Sequence, residues 1–212
     1  MRILVTGTGA RPGRLIAEHL ETDHDVTAVS GLEDIRDPEL VGPLLRGVNV
    51  IVHAGAILDL PADATSSDVG ILDWAARGSY VLLSEAVRTG VERAVLISTL
   101  SCFEDYPAGY VIDETFKPQP RAEASSLAPL MAEKTFREFS RQGPIQTVCL
   151  RFGDLDSPEG TPISLALESI SRAVEMDIGM DGYRWEVFHV CGSSRFPLSA
   201  AKGSPLVLGK DT

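Results

Sequence analysis

The chain has 212 residues, 44% of them apolar and 23% charged, and its 30 acidic against 19 basic side chains leave a net charge of −11. That size and apolar content suit one globular unit with a real core, and they exclude a disordered, collagen-like or disulfide-stapled chain. The acidic surplus repels nucleic-acid backbones and anionic membranes, so neither is expected as a partner. Cys102, Cys149 and Cys191 form no CxxC pair and read as reduced, buried thiols. No apolar run has the length of a signal core or a membrane span, and the cytoplasm is the expected compartment.

Ile3-Leu4-Val5 reads as a buried strand running into a glycine cluster from Gly7 to Gly13, and Leu15, Ile16 and Leu20 give the next segment one apolar helical face. Val26–Val29 and Val48–Val52 are further strands, the later one preceded by a short helix around Leu40–Leu45. Only three residues separate Ser30 from Asp34. A helical crossover needs about 10 to 12, so the second helix of a usual wound sheet is expected to be missing or reduced to a turn. Ser67–Thr89 predicts a long helix, with Ser67 or Asp68 as N-cap and Gly90 just past its end. A strand at Ala94–Ile97, a helix at Leu127–Arg141 and a strand at Thr147–Phe152 follow. Glu104–Ser126, rich in proline, glycine and acidic residues, reads as a long binding-type loop. Pro162–Asp177 has helical spacing and Trp185–Val190 that of a strand. Strands alternating with helices predict an α/β fold with a parallel sheet covered on both faces.

The sharpest local pattern is Val5-Thr6-Gly7-Thr8-Gly9-Ala10-Arg11-Pro12-Gly13-Arg14, set between the first strand and the first helix. Backbone N–H groups at a helix N-terminus point at a diphosphate, and glycines let the chain approach it. Pro12 fits the first helical turn, where its missing N–H costs nothing. Further motifs follow in order: Glu33-Asp34-Ile35-Arg36-Asp37, His53-Ala54-Gly55-Ala56, Arg77-Gly78-Ser79-Tyr80-Val81-Leu82-Leu83-Ser84-Glu85-Ala86, Val91–Thr99, and Leu150-Arg151-Phe152-Gly153. Together they resemble the extended short-chain dehydrogenase/reductases of the NAD-dependent epimerase/dehydratase family, from Met1 to about Leu155. The resemblance implies a Rossmann-type doubly wound sheet, with residues 1–155 as the NAD(P)-binding domain and 156–212 as a small, reduced C-terminal substrate cap integrated with it. It also implies cofactor contacts from Gly7, Gly9, Ala10, Arg11, Pro12, Gly13, Asp34, Ile35, Ala54, Gly55, Ala56 and Lys134.

Two departures bear on the cofactor. Ala10 adds a methyl where the family has glycine, and Ser30-Gly31 replaces the acidic residue that would bind a ribose 2′-hydroxyl. Arg11, Arg14 and Arg36 lie nearby in sequence, and arginine suits a 2′-phosphate. NADP is therefore expected at least as readily as NAD.

A third departure bears on catalysis. The family's acid/base tyrosine sits four residues before a lysine, so that both share one helix face. Here Lys134 matches the lysine, Glu138 the glutamate that often follows it, and Thr99 the Ser/Thr position, while Leu130 stands where the tyrosine belongs. Thr99 and Lys134 are thus the catalytic residues the resemblance implies. Tyr106, Tyr110, Ser98, Ser101, Cys102 and Glu133 are candidates for the missing proton-transfer group. Among other residues, His53 and His189 read as packing histidines, His19 and His24 as surface ones, Asp59, Asp63 and Asp68 as a solvated acidic loop, and Trp74 and Trp185 as core or interface anchors.

Two functions stay open. One is hydride chemistry, as an epimerase/dehydratase or oxidoreductase on a small sugar-like substrate; the other is a dinucleotide-binding sensor or scaffold without turnover. The resemblance also implies a homodimer through helices 67–89 and 127–141.

Overall fold

The computed structural model describes residues 1–30, 34–54, 65, 67–143, 145–157, 159–176 and 184–197. Six strands, β1 (Arg2–Thr6), β2 (Asp25–Val29), β3 (Val50–His53), β4 (Arg93–Thr99), β5 (Gln146–Phe152) and β6 (Trp185–Val190), form one sheet in the order β2-β1-β3-β4-β5-β6. Every pairing is parallel. The helices are α1 (Arg11–Leu20), α2 (Pro38–Leu44), α3 (Asp68–Asp73), α4 (Ser79–Thr89), α5 (Ala124–Gln142) and α6 (Ile163–Glu175). A π turn, Trp74–Gly78, joins α3 to α4, and a 3₁₀ turn, Leu100–Phe103, follows β4.

Alternation along the strands divides the core into two layers. Ile3, Val5, Val52, Val95, Ile97, Leu150 and Phe188 face α1 and α6. Leu4, Ile51, Ala94, Leu96 and Cys149 face α2, α4 and α5 across Trp74, Leu82, Leu83 and Phe136. Helices cover both faces of a parallel sheet, the doubly wound α/β arrangement. The described residues beyond 155 share this core: β6 pairs with β5, and Ala166, Ile170 and Val174 of α6 pack in the α1 layer.

On the β2 side no strand pairs beyond β2 among the described residues, and the chain returns to β3 through α2 alone. Helix α2 starts two residues earlier than the apolar spacing suggests. Asp37 caps it by accepting from the Glu39 N–H at 2.9 Å, and Pro38 takes the first turn. Ser67 caps α3, its Oγ accepting from Gly70 N–H at 3.1 Å, and Gly90 ends α4 in the left-handed conformation with φ +83°. Helix α5 also starts early, at Ala124, because the Glu123 carbonyl accepts the Leu127 N–H and Ala124 is buried. Pro129 then falls inside the helix, opposite the carbonyl of exposed Ser125, which water can satisfy.

Candidate functional site

The chain runs from β1 outward to β2 and then back past β1 to β3, so the strand order reverses between β1 and β3. In open α/β sheets the crevice beyond the strand C-termini at such a reversal is where ligands bind. Thr6 and His53 end the two strands in register, and Ala54 N–H donates to the Thr6 carbonyl at 3.1 Å. The glycine loop leaves β1 here. Gly7 has φ +83°, and a Cβ on Gly13 would lie 2.0 Å from the Gly7 carbonyl oxygen. Strand end and helix start are thus pressed together, a contact only glycine allows at position 13. Ala10 is the N-cap of α1 and makes no side-chain cap, with Pro12 in the first turn. Ala10 leaves the N–H groups at the mouth of this ten-residue helix without a side-chain cap of its own, and the loop fits a dinucleotide diphosphate.

At the next corner, Ile35 is buried and Gly78 of the π turn meets it so closely that a Cβ there would lie 2.7 Å from Ile35 Cδ1. Arg36 donates from Nε and Nη2 to Asp34, both at 2.8 Å, reaches Asp73 at 3.4 Å and lies over Trp74 at 5.4 Å. The Arg36 hydrogen bonds hold the Asp34 carboxyl below its ordinary range. Asp34, Arg36, Asp37, Pro38 and Arg77 line a cavity of about 320 Å³. The arginines named for a 2′-phosphate are differently placed: Arg36 is committed to Asp34 and Asp73, Arg11 forms an exposed pair with Asp156 at 2.8 Å, and Arg14 is exposed. Gly55 and Ala56 lie outside the described residues, as do Glu33, Gly31, Asp59 and Asp63.

Thr99 ends β4, where its Oγ1 accepts from Ser101 N–H at 3.0 Å and donates to Ser101 Oγ at 3.1 Å. It lines a cavity of about 210 Å³ at the C-terminal ends of β4 and β5. Lys134 follows Glu133 on α5, and Glu133 accepts from Ser98, the neighbour of Thr99, at 2.6 Å. Burial along α5 runs Ala124, Ala128, Pro129, Ala132, Glu133, Phe136 and Ser140, so Glu133 faces the sheet. Lys134 is exposed and lines a separate groove of about 620 Å³ between α4 and α5, with Tyr80, Ser84, Thr135, Glu138 and Phe139. Leu130 is half-buried.

Beneath α5 the sheet carries a row of polar side chains that the sequence patterns do not assemble. Thr6 Oγ1 and His53 Nδ1 are 2.6 Å apart, and His53 stacks on Phe136 with ring centres 5.9 Å apart. Next, Glu133 accepts from Ser98 Oγ at 2.6 Å and from Arg151 Nε and Nη2 at 2.8 and 2.7 Å. Arg151 lies over the Phe103 ring and approaches His189 Nε2 to 3.2 Å. The ion pair is sealed, with side chains 6% and 4% exposed. One signal was available: Arg151 interrupts the apolar strand Val148-Cys149-Leu150, and a buried cation demands a carboxylate.

The other proton-transfer candidates lie nearby in the chain. Tyr106 donates to the Lys117 carbonyl, and Tyr110 is half exposed. The Cys102 thiol donates to the Thr99 carbonyl and is pushed up to about 12 by burial. All three cysteines are free and buried. His189 is a core histidine, as read. His24 is not a surface one: its side chain is 9% exposed against Glu175, while His19 Nε2 meets Ser171 Oγ at 2.9 Å, so both tie the end of α1 to α6.

This reversal crevice, with its glycine loop and uncapped helix, belongs to a Rossmann-type α/β fold. The profile of the NAD dependent epimerase/dehydratase family matches residues 3–195, and the chain belongs to that family. It is 31% identical over 107 residues to the L-arabinose 1-dehydrogenase (NAD(P)⁺) of Haloferax volcanii, a match covering 46% of this chain and 41% of that one. The match thus spans about two-fifths of the curated relative's length. The fold is similar to that of the UDP-glucose 4-epimerase of Thermotoga maritima, with a TM-score of 0.78, 16% identity and coverage of 97% of this chain and 92% of that one. A short-chain dehydrogenase/reductase superfamily protein from Agrobacterium tumefaciens, solved with bound NAD, has a TM-score of 0.63 and 25% identity over 74% of this chain and 50% of that one.

Two stability predictions follow from the buried row. Glu133→Leu strands the Arg151 charge and is expected to cost about 3–5 kcal/mol, most of it recovered in Glu133→Leu/Arg151→Met. Urea unfolding of the four proteins measures this, and additive losses would contradict the coupling. Burial pushes the His53 and His189 imidazoles down to about 4, from the ordinary 6.5. The folded state then binds fewer protons than the unfolded one between these values. Stability is full above pH 6.5 and drops as the pH falls toward 4, by up to about 1.4 kcal/mol per pH unit for each ring. His53→Phe keeps the stack on Phe136, and its thermal midpoint should fall less steeply with acid; an unchanged slope would contradict the assignment.

Proposed function

We propose that this chain binds NAD or NADP at the β1–β3 crevice and carries out hydride-type oxidoreductase or epimerase/dehydratase chemistry on a small sugar-like substrate beside Thr99. The observation that carries this reading is the Gly7–Gly13 contact at the uncapped mouth of α1, set at the reversal of strand order. Gly7, Gly9, Ala10, Arg11, Pro12 and Gly13 would hold the diphosphate, Asp34 and Ile35 the adenine end, and Ala54 with Gly55 and Ala56 the strand-end side. With Arg36 engaged, Arg11 is the residue proposed to meet a 2′-phosphate, because its exposed pair with Asp156 costs little to exchange.

A bound nicotinamide supplies hydride exchange with a substrate carbon. Thr99 Oγ1 would hydrogen-bond the substrate oxygen, and its contact with Ser101 Oγ gives that oxygen's proton a hydroxyl route to solvent. Residues 156–212 are proposed as the reduced cap: Ser157, Glu159, Cys191 and Phe196 supply part of the cavity wall. Lys134 keeps a ribose role in this reading only if its side chain leaves the outer groove. That groove, with exposed Tyr80, is the proposed contact for a homodimer through α4 and α5. The free thiols suit the cytoplasm, and no helix among the described residues is long and apolar enough to cross a membrane.

The second reading, a dinucleotide sensor or scaffold without turnover, is favoured by Leu130. A missing general acid costs about 10²- to 10⁴-fold in rate. Thermal-shift titration with NAD⁺, NADH, NADP⁺ and NADPH tests the common part. A ligand at 100 times its Kd stabilises by about 2.7 kcal/mol, worth roughly 2–4 °C per kcal/mol for a chain of this size. At least one dinucleotide should raise the midpoint by several degrees in the wild type and none in Gly13→Ala; no shift with any of the four would refute the proposal. Slow sugar oxidation by the wild type supports the enzyme reading. Activity seen only in Leu130→Tyr supports the sensor.

A further inference from the structure

The cavity beside Thr99 is small and lined by hydroxyls, carboxylates and an aromatic ring. Its volume is about 210 Å³, below the roughly 300–1,000 Å³ of sites that enclose drug-sized ligands. A single sugar ring suits that space. Its floor is closely packed backbone. A Cβ on Gly160 would lie 1.9 Å from the Asp154 carbonyl oxygen, and one on Gly153 would lie 3.1 Å from Gly160 Cα. Thr161 Oγ1 pins the same corner, accepting from Gly153 N–H at 2.8 Å and donating to the Val190 carbonyl.

The walls combine three kinds of group. Thr99 and Ser101 offer hydroxyls, Phe196 offers an apolar ring, and Glu104, Asp154 and Glu159 offer carboxylates. Among the described residues none of those three carboxylates pairs with a cation, and all three residues are exposed to solvent. An ionised carboxylate accepts hydrogen bonds about twice as strong as a neutral acceptor does, and it can take two donors at once. A ring bearing adjacent hydroxyls presents such donors on its edge and an apolar C–H surface on its face. Carboxylates at the rim and an aromatic wall match both. The same three charges oppose a carboxylate or phosphate entering the cavity, and the net charge of −11 adds a field of the same sign.

We infer that this cavity takes a free, uncharged monosaccharide and discriminates against uronic acids and sugar nucleotides. The inference rests on the dinucleotide-dependent reading above, and it names the substrate class for that site. Glu104 and Asp154 act as specificity-determining residues: they bind sugar hydroxyls and repel anions.

Calorimetric titration of the full chain tests this, first with the four dinucleotides and then, saturated with whichever binds, with D-galactose, D-galacturonate and UDP-galactose. The three sugars share one ring configuration and differ in charge and size. Galactose is expected to bind at least tenfold more tightly than galacturonate, with no heat from UDP-galactose. In Glu104→Gln/Asp154→Asn, galactose should weaken and the gap to galacturonate should narrow. Equal or tighter binding of galacturonate or UDP-galactose overturns the inference, as does a dinucleotide-bound protein that takes none of the three. A protein that binds no dinucleotide fails at the first stage, which refutes the functional reading instead. The wild-type comparison decides the matter even if the double variant does not fold.

Discussion

All six strands run the same way, so Thr6, Val29, His53, Thr99, Phe152 and Val190 end along one edge of the sheet. Everything functional in the molecule depends on that constraint. A parallel sheet must send each connection across a face, which places the helix N-termini and the turns that feed them at the same edge as the strand C-termini. The order reversal between β1 and β3 opens that edge at one point, and the close approach of Gly13 to Gly7 sits there. The loop's geometry is therefore a consequence of strand order as much as of its own glycines.

The second determinant lies just below this edge. Ser98, Glu133, Arg151 and His189 link β4, α5, β5 and β6 in one buried network, and the Phe103 ring packs on Arg151. His189 extends the network into the long loop, its Nδ1 meeting the Ile112 carbonyl and its N–H donating to Glu114. A buried pair of this kind is costly to desolvate, and its value lies in fixing one arrangement of the elements around it. Here it fixes α5 with Glu133 inward. That choice turns the next residue, Lys134, toward the outer groove. Leu130, one turn before Lys134 on the same helix, is half-buried.

Much of the fold was legible in the sequence because strand runs such as Ile3-Leu4-Val5 and caps such as Ser67 and Gly90 are local signals. The glycine loop was equally legible, since helix start, proline and glycines stand within one short stretch. Helix starts at Pro38 and Ala124 were misjudged because Asp37 capping and Ala124 burial outweigh apolar spacing. The engagement of Arg36 by Asp73 was not legible, because the partners are 37 residues apart and meet only when the π turn brings Trp74 under the guanidinium. Glu133 and Arg151 were each visible as unusual, but their pairing is a tertiary fact: the side-chain period of β5 puts Arg151 inward, while the facing of α5 is set by Phe136 and Ala132 in the core.

The mouth of α1 is proposed to receive a dinucleotide diphosphate. A crystal structure of the chain grown with NADH or NADPH tests it most directly. Density for the diphosphate is expected against the backbone N–H groups following Gly9, between the ends of β1 and β3, with the adenine toward Asp34 and Ile35. A dinucleotide bound instead in the groove between α4 and α5, or bound with its diphosphate away from the α1 terminus, would contradict it.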